Sequence, residues 1–172
     1  MGNVCACTPY PARLAGLIGK TAVNAGINGT MAREGLDRIE GVIAGNRPGF
    51  MLILYGVGDV IHGQSIGGTV DALRQMVATC RTNQVAPVLA TYPIPFGSHA
   101  VFAGGTRALN AGIRVLAEEA DVPCVDLEQE FAGTPDPVTG LAEANHDLME
   151  DDGLHPNDAG TQVMALAFAD LF

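Results

Sequence analysis

Asp152 and His155 stand three positions apart in the run Asp152-Gly-Leu-His155-Pro156-Asn157-Asp158-Ala-Gly160. A carboxylate at that spacing can accept a hydrogen bond from the imidazole. The bond fixes the ring tautomer and leaves the second nitrogen as a base. Pro156, with Asn157 or Asp158, has the chemistry of a helix start. The same run also reads as a helix-capping loop that happens to contain a histidine. Two other segments invite attention. In Val23-Asn24-Ala25-Gly26-Ile27-Asn28-Gly29-Thr30 a predicted strand gives way to a predicted helix. Glycine there lets a backbone N–H face a reacting oxygen near the positive end of a helix. An ordinary tight turn has the same composition. Leu54-Tyr55-Gly56-Val57-Gly58-Asp59 closes a predicted buried strand, where ligands sit in α/β folds.

The elements that must position these residues alternate. Helices are predicted over 11–18, 31–44, 66–83, 106–120 and 157–171 from apolar residues at helical spacing. Their inward faces are Leu36, Ile39 and Ile43; Val70, Leu73, Met76, Val77 and Cys80; Leu109, Ile113 and Leu116; and Val163, Leu166 and Ala167. Met76 and Met164 read as core. Strands are predicted at Thr21 to Asn24, Phe50 to Tyr55, Pro87 to Tyr92 and Val122 to Leu127. Gly56 to Asp59 reads as a loop, and Gly133 to Asp152 as a long one of the kind that often carries function. Strands without polar alternation, separated by amphipathic helices, predict a parallel sheet covered on both faces, in one domain over 1–172.

Composition narrows the function. The 9 Lys+Arg against 19 Asp+Glu give a net charge of −10, which argues against nucleic acid and against an anionic membrane surface. No apolar run is long enough to span a membrane, and no signal peptide is visible. The spacing of Cys5, Cys7, Cys80 and Cys124 matches no zinc site. Reduced thiols are the default, which points to a cytoplasmic setting. His62, His99 and His146 read as polar loop residues. Asp147, Glu150 and Asp151 read as a solvated acidic stretch without the spaced ligands of a calcium loop. No phosphate-cradling Gly-x-x-x-x-Gly-Lys is present. No metal and no cofactor is expected.

Taken in order, the three segments resemble blocks II, III and V of the SGNH (GDSL-type) hydrolases. Tyr10-Pro11-Ala-Arg-Leu resembles the family's first helix, Pro87 to Pro95 its fourth strand, and Asp158-Ala-Gly160 the tail of block V. The resemblance implies a flavodoxin-like three-layer α/β/α hydrolase of esters, thioesters and acyl groups on sugars. It implies His155 as the base, Asp152 as its orienter and Gly29 as the block II oxyanion donor, with Gly56, Gly58 and Asp59 lining that region. The expected substrate is a short acyl ester, because no apolar lid stands out.

Two departures from the family matter. Block III normally reads Gly-x-Asn-Asp, and here Gly58 holds the asparagine position. The family also opens with a strand and a Gly-Asp-Ser nucleophile. Only Met1 to Cys7 precede the first helix here, and the two serines, Ser65 and Ser98, lie elsewhere. Loss of that strand is preferred over a decayed motif at Gly2-Asn3-Val4. Cys5 and Cys7 lie where block I should end, so either thiol would be a substitute nucleophile beside His155; both also read as small packing residues. Water activated directly by His155 is a further route. The missing strand is expected mid-sheet. Asn3 to Cys7 as a makeshift strand, or a second copy of the chain through dimerisation or strand swapping, would repair the gap. The alternative is a non-catalytic chain, truncated or engineered, that uses the old pocket for binding.

Overall fold

Three strands pair in parallel in the order β1 (Phe50–Ile53), β2 (Ala86–Ala90), β3 (Cys124–Val125), in a computed structural model that describes residues 7–172. Phe50 lies opposite Ala86 and Ile53 opposite Leu89; Leu89 lies opposite Cys124 in turn. Parallel neighbours need long crossovers. α4 (Ile66–Thr82) joins β1 to β2, and α5 (Ala103–Ala120) joins β2 to β3. α2 (Ala32–Asn46) precedes β1, and the short α3 (Val57–Ile61) follows it. Ile39 and Ile43 of α2, Leu73, Met76, Val77 and Cys80 of α4, and Leu109, Ile113 and Leu116 of α5 bury their side chains in one cluster with Ile53 and Leu89. These are the positions that the 3.6-residue spacing predicts. Burial pushes the Cys80 thiol up to about 11.

The chain divides into two compact units and crosses between them at 28/29, 92/93, 103/104 and 125/126. The sheet with α2 to α5 forms the first, over 29–92 and 104–125. The second, over 7–28, 93–103 and 126–172, holds α1 (Tyr10–Ile18), α6 (Leu127–Glu130) and α7 (Asp158–Ala169). In it α1 packs on α7: the Tyr10 ring stacks on Phe168 at 5.2 Å, and Leu14 is buried. Burial raises the Tyr10 phenol to about 12. Arg13 pairs with Asp158, donates to Gln162 Oε1 at 2.9 Å and to the Thr8 carbonyl at 3.2 Å. Thr8 N–H donates to the same Asp158 carboxylate at 3.2 Å, so residues just after Cys7 are tied to the start of α7.

Close packing at that start predicts a stability effect. A Cβ on Gly160 would sit 2.1 Å from the Leu148 carbonyl oxygen and 3.0 Å from the Phe131 ring. Backbone must move to admit it, so Gly160→Ala is expected to cost about 1–3 kcal/mol. That is a fall in Tm of about 2–4 °C per kcal/mol for a chain of this size, read by thermal unfolding.

Several expectations are corrected. Thr21 to Asn24 forms no strand: Val23 is 58% exposed, and the segment has no ladder partner among the described residues. β1 is shorter than predicted and mostly half-buried, with Phe50 exposed. β3 keeps only two residues, because Asp126 caps α6 and turns Leu127 into a helix. The predicted Gly56-to-Asp59 loop is in part the first turn of α3. α7 buries Thr161, Met164, Ala165 and Phe168, and Leu166 faces solvent. The predicted makeshift strand falls, up to Ala6, outside the described residues.

Candidate active site

The Asp152–His155 segment is a tight turn closed by its own backbone. Glu150 N–H donates to the His155 carbonyl at 2.8 Å, Gly153 N–H donates to the Glu150 carbonyl at 2.9 Å, and Met149 bridges Pro156. Asp152 spends its two carboxylate oxygens differently. Oδ1 accepts Leu154 N–H at 2.9 Å and His155 N–H at 3.0 Å, while Oδ2 lies 2.7 Å from His155 Nδ1. A carboxylate accepts, so Nδ1 carries the proton, and in the neutral ring Nε2 carries the lone pair. The His155 side chain is 42% exposed, and Nε2 has no hydrogen-bond partner among the described residues. The arrangement is an oriented imidazole with its basic nitrogen open.

Burial works to raise the Asp152 carboxyl. The hydrogen bonds from the His155 ring and from the His155 and Leu154 N–H groups outweigh it, with the His155 charge, and hold Asp152 below the ordinary 3.8. A group depressed on folding stabilises the fold above its unfolded value and loses that contribution as pH falls through its folded one. Asp158, lowered first by its Arg13 hydrogen bond, acts in the same sense. Tm is therefore expected to be flat from neutrality down to about pH 4–5 and to fall below it. Asp152→Asn should flatten part of that fall; melts from pH 7 to pH 2 measure both.

The turn is pinned by the 93–103 segment, which leaves β2 through Pro93. Phe96 N–H donates to the Gly153 carbonyl at 3.0 Å. Gly153 has φ +69°, and a Cβ there would lie 2.3 Å from the Phe96 carbonyl oxygen, so only glycine fits. Ser98 Oγ and His99 Nδ1 both reach the Asp152 carbonyl, at 3.1 and 2.6 Å. The His146 ring stacks on Phe96 at 3.8 Å and meets Glu143 Oε1 at 2.8 Å. Asn157 caps α7 by accepting Gly160 N–H at 3.0 Å, while its amide donates to the Asp147 and Met149 carbonyls. Sequence reasoning missed Ser98, His99 and Phe96 as supports of the turn. The one available signal was a polar pair set in a loop bounded by prolines and Gly97.

In the sheet-bearing unit, Gly29 lies in an exposed turn, and its N–H has no partner among the described residues. Asn28 is the other residue of that turn. Gly56 caps α3 at φ 134°, with Leu109 2.7 Å from where its Cβ would be. Asp59 is 4% exposed. Its carboxylate accepts Ala32 N–H at 2.9 Å and Thr69 Oγ1 at 3.2 Å. It thus ties the start of α2 to α3 and α4, and does not present itself to a ligand. A Cβ built on Gly58 would meet only the Thr30 carbonyl, its oxygen at 3.4 Å. His62 Nδ1 meets the Gly58 carbonyl at 2.7 Å, and Ser65 caps α4 by accepting Gly68 N–H at 3.2 Å. Cys7 is disulfide-bonded, against the expectation of reduced thiols, and offers no thiolate in this structure. Cys5 lies outside the described residues. Among the described residues no group of three or more His, Cys, Asp or Glu side chains is placed to hold a metal ion. No helix among them is long and apolar enough to cross a membrane.

Residues 4–163 match the GDSL-like Lipase/Acylhydrolase family. The chain belongs to that family. A curated relative, thioesterase 1/protease 1/lysophospholipase L1 of Escherichia coli K12, is 26% identical over 137 residues. The match takes in 80% of this chain and spans 60% of the relative's length. Among solved structures, a G-D-S-L family lipolytic protein of Desulfitobacterium hafniense superposes with a TM-score of 0.80 at 18% identity, over 95% of this chain and 88% of that one. A catalytic mutant of an acetylxylan esterase from Geobacillus stearothermophilus gives 0.77 at 21%, over 95% and 80%. These likenesses show the three-layer α/β fold with a parallel sheet.

Proposed function

We propose that this GDSL-like chain hydrolyses short acyl esters, with His155 as general base and Asp152 as the carboxylate that orients it. The observation that carries this reading is the 2.7 Å contact between Asp152 Oδ2 and His155 Nδ1, with Nε2 left open to take a proton. An ester substrate is in keeping with the names of the acetylxylan esterase whose fold the chain shares and of the thioesterase/lysophospholipase it resembles.

Both serines of the chain are already committed, Ser65 to capping α4 and Ser98 to the Asp152 carbonyl. Water is the nucleophile in this reading. His155 Nε2 takes a proton from water as the water oxygen bonds to the ester carbonyl carbon. The negative charge moves to the carbonyl oxygen, where backbone N–H groups stabilise it. When the tetrahedral centre collapses, the C–O bond to the leaving alcohol breaks, and the imidazolium returns the proton to the departing oxygen. Asp152 stabilises the imidazolium between those events. General-base assistance supplies about 10²–10⁴ in rate.

Hydrolysis of p-nitrophenyl acetate, butyrate and palmitate tests this. Turnover should be highest on the short esters, linear from the first turnover, and unchanged by Cys5→Ala. A burst of one p-nitrophenol per chain that Cys5→Ala abolishes would mean a thiol nucleophile. Turnover confined to palmitate would overturn the substrate class.

A further inference from the structure

We infer that Ser98 and His99 are positioning residues for the Asp152–His155 pair. They act by holding the Asp152 carbonyl, and with it the turn from which the carboxylate meets the imidazole. The inference rests on the proposed hydrolysis only for its kinetic readout.

Asp152 is held by both of its ends. Its carboxylate takes three hydrogen bonds from Leu154 and His155. Its carbonyl oxygen, with two lone pairs, takes two more, from Ser98 Oγ at 3.1 Å and His99 Nδ1 at 2.6 Å. A carbonyl only accepts, so His99 Nδ1 bears a proton. That nitrogen therefore cannot receive the Ser98 proton across their 3.3 Å separation, and Ser98 with His99 is not a nucleophile–base pair. Both side chains are donors aimed at one oxygen. The next residue is Gly153, in a positive-φ conformation that lets the 152–153 peptide rotate once its carbonyl is released. The Phe96 N–H bond to Gly153 holds the turn at a second point, so losing the side-chain donors shifts the turn without unfolding it. A shift of about 1 Å in a base is enough to cost up to about a hundredfold in rate.

His99→Asn separates donor from bulk, because the asparagine Nδ2 occupies the place of the imidazole Nδ1 and donates as it does. In the proposed reaction His99→Ala should lower kcat about tenfold with KM within about twofold, while His99→Asn restores most of it. The second readout needs no activity. The chain has 4 histidines, so the 15N–1H spectrum of its imidazoles is sparse, and the His155 Nδ1–H signal is assigned by its loss in His155→Ala. That low-field signal should broaden or move in Ser98→Ala/His99→Ala and persist in His99→Asn. An unchanged signal in the double variant overturns the inference, as does His99→Asn being as damaged as His99→Ala. If the wild-type chain hydrolyses no ester, the functional reading fails, and the spectrum still decides this inference.

Discussion

Gly58→Asn is expected to raise ester hydrolysis by up to about a hundredfold. Removing one oxyanion donor of this kind costs about 10²–10³ in rate. The sequence resemblance sets Gly58 at the position of the family's block III asparagine, and glycine has no side chain to donate. The structure leaves room for one. Gly58 lies in the first turn of α3 without a positive φ, and its built Cβ meets only the Thr30 carbonyl oxygen, at an ordinary 3.4 Å. Asparagine also costs a helix less than glycine does, so the gain should come without loss of Tm. The gain should fall on kcat rather than KM, because a donor to the developing oxyanion acts mainly in the transition state. Initial rates on p-nitrophenyl acetate over a range of concentrations separate the two. No gain in kcat from a well-folded variant would mean that position 58 does not act as the block III asparagine does.

Asp152→Asn should lower kcat/KM by about 10²–10⁴, the full contribution of a general base. The size follows from which atoms the turn selects. The Leu154 and His155 N–H groups donate to Oδ1, so they will hold the oxygen of an asparagine amide in that place. The amide NH2 then replaces Oδ2 and faces His155 Nδ1 across about the same gap. Two donors cannot meet, so the imidazole must move its proton to Nε2 and lose its basic nitrogen. The geometry survives and the tautomer is wrong. A crystal structure of the variant with an undisplaced ring, together with the rate loss, would distinguish this from collapse of the turn. Retention of more than about a tenth of the activity would mean that Asp152 does not set the tautomer.

The pairing of Asp152 with His155 was legible because it is local. The contact between Asp152 and His155 is made within one turn, so spacing alone reports it. The amphipathic α2, α4 and α5 were legible for a related reason: each has one apolar stripe, and that stripe is buried. α7 was read only in part: Met164 was expected in the core and is buried, while Leu166 was expected inward and faces solvent, because the apolar residues run all the way round. Val163, Leu166 and Ala167 compete with Met164, Ala165 and Phe168, and contact with α1 through Tyr10 and Phe168 selects the second set. Strand length was misread at Thr21 to Asn24 and at β3 because a strand is defined by its partner, which lies outside its own sequence. Ser98 and His99 were passed over because they meet Asp152 across more than 50 residues of chain. No periodicity marks a pairing of that span. Asp59 looked like part of a ligand loop by position, and only its burial shows it tying α2, α3 and α4 together.

The most direct measurement is the initial rate of p-nitrophenyl acetate hydrolysis by the wild-type chain beside His155→Ala, at matched concentration and confirmed folding. A working base predicts saturable turnover by the wild type, at least about a hundredfold above the variant. Two indistinguishable rates would contradict it and leave a GDSL-like fold without a working base.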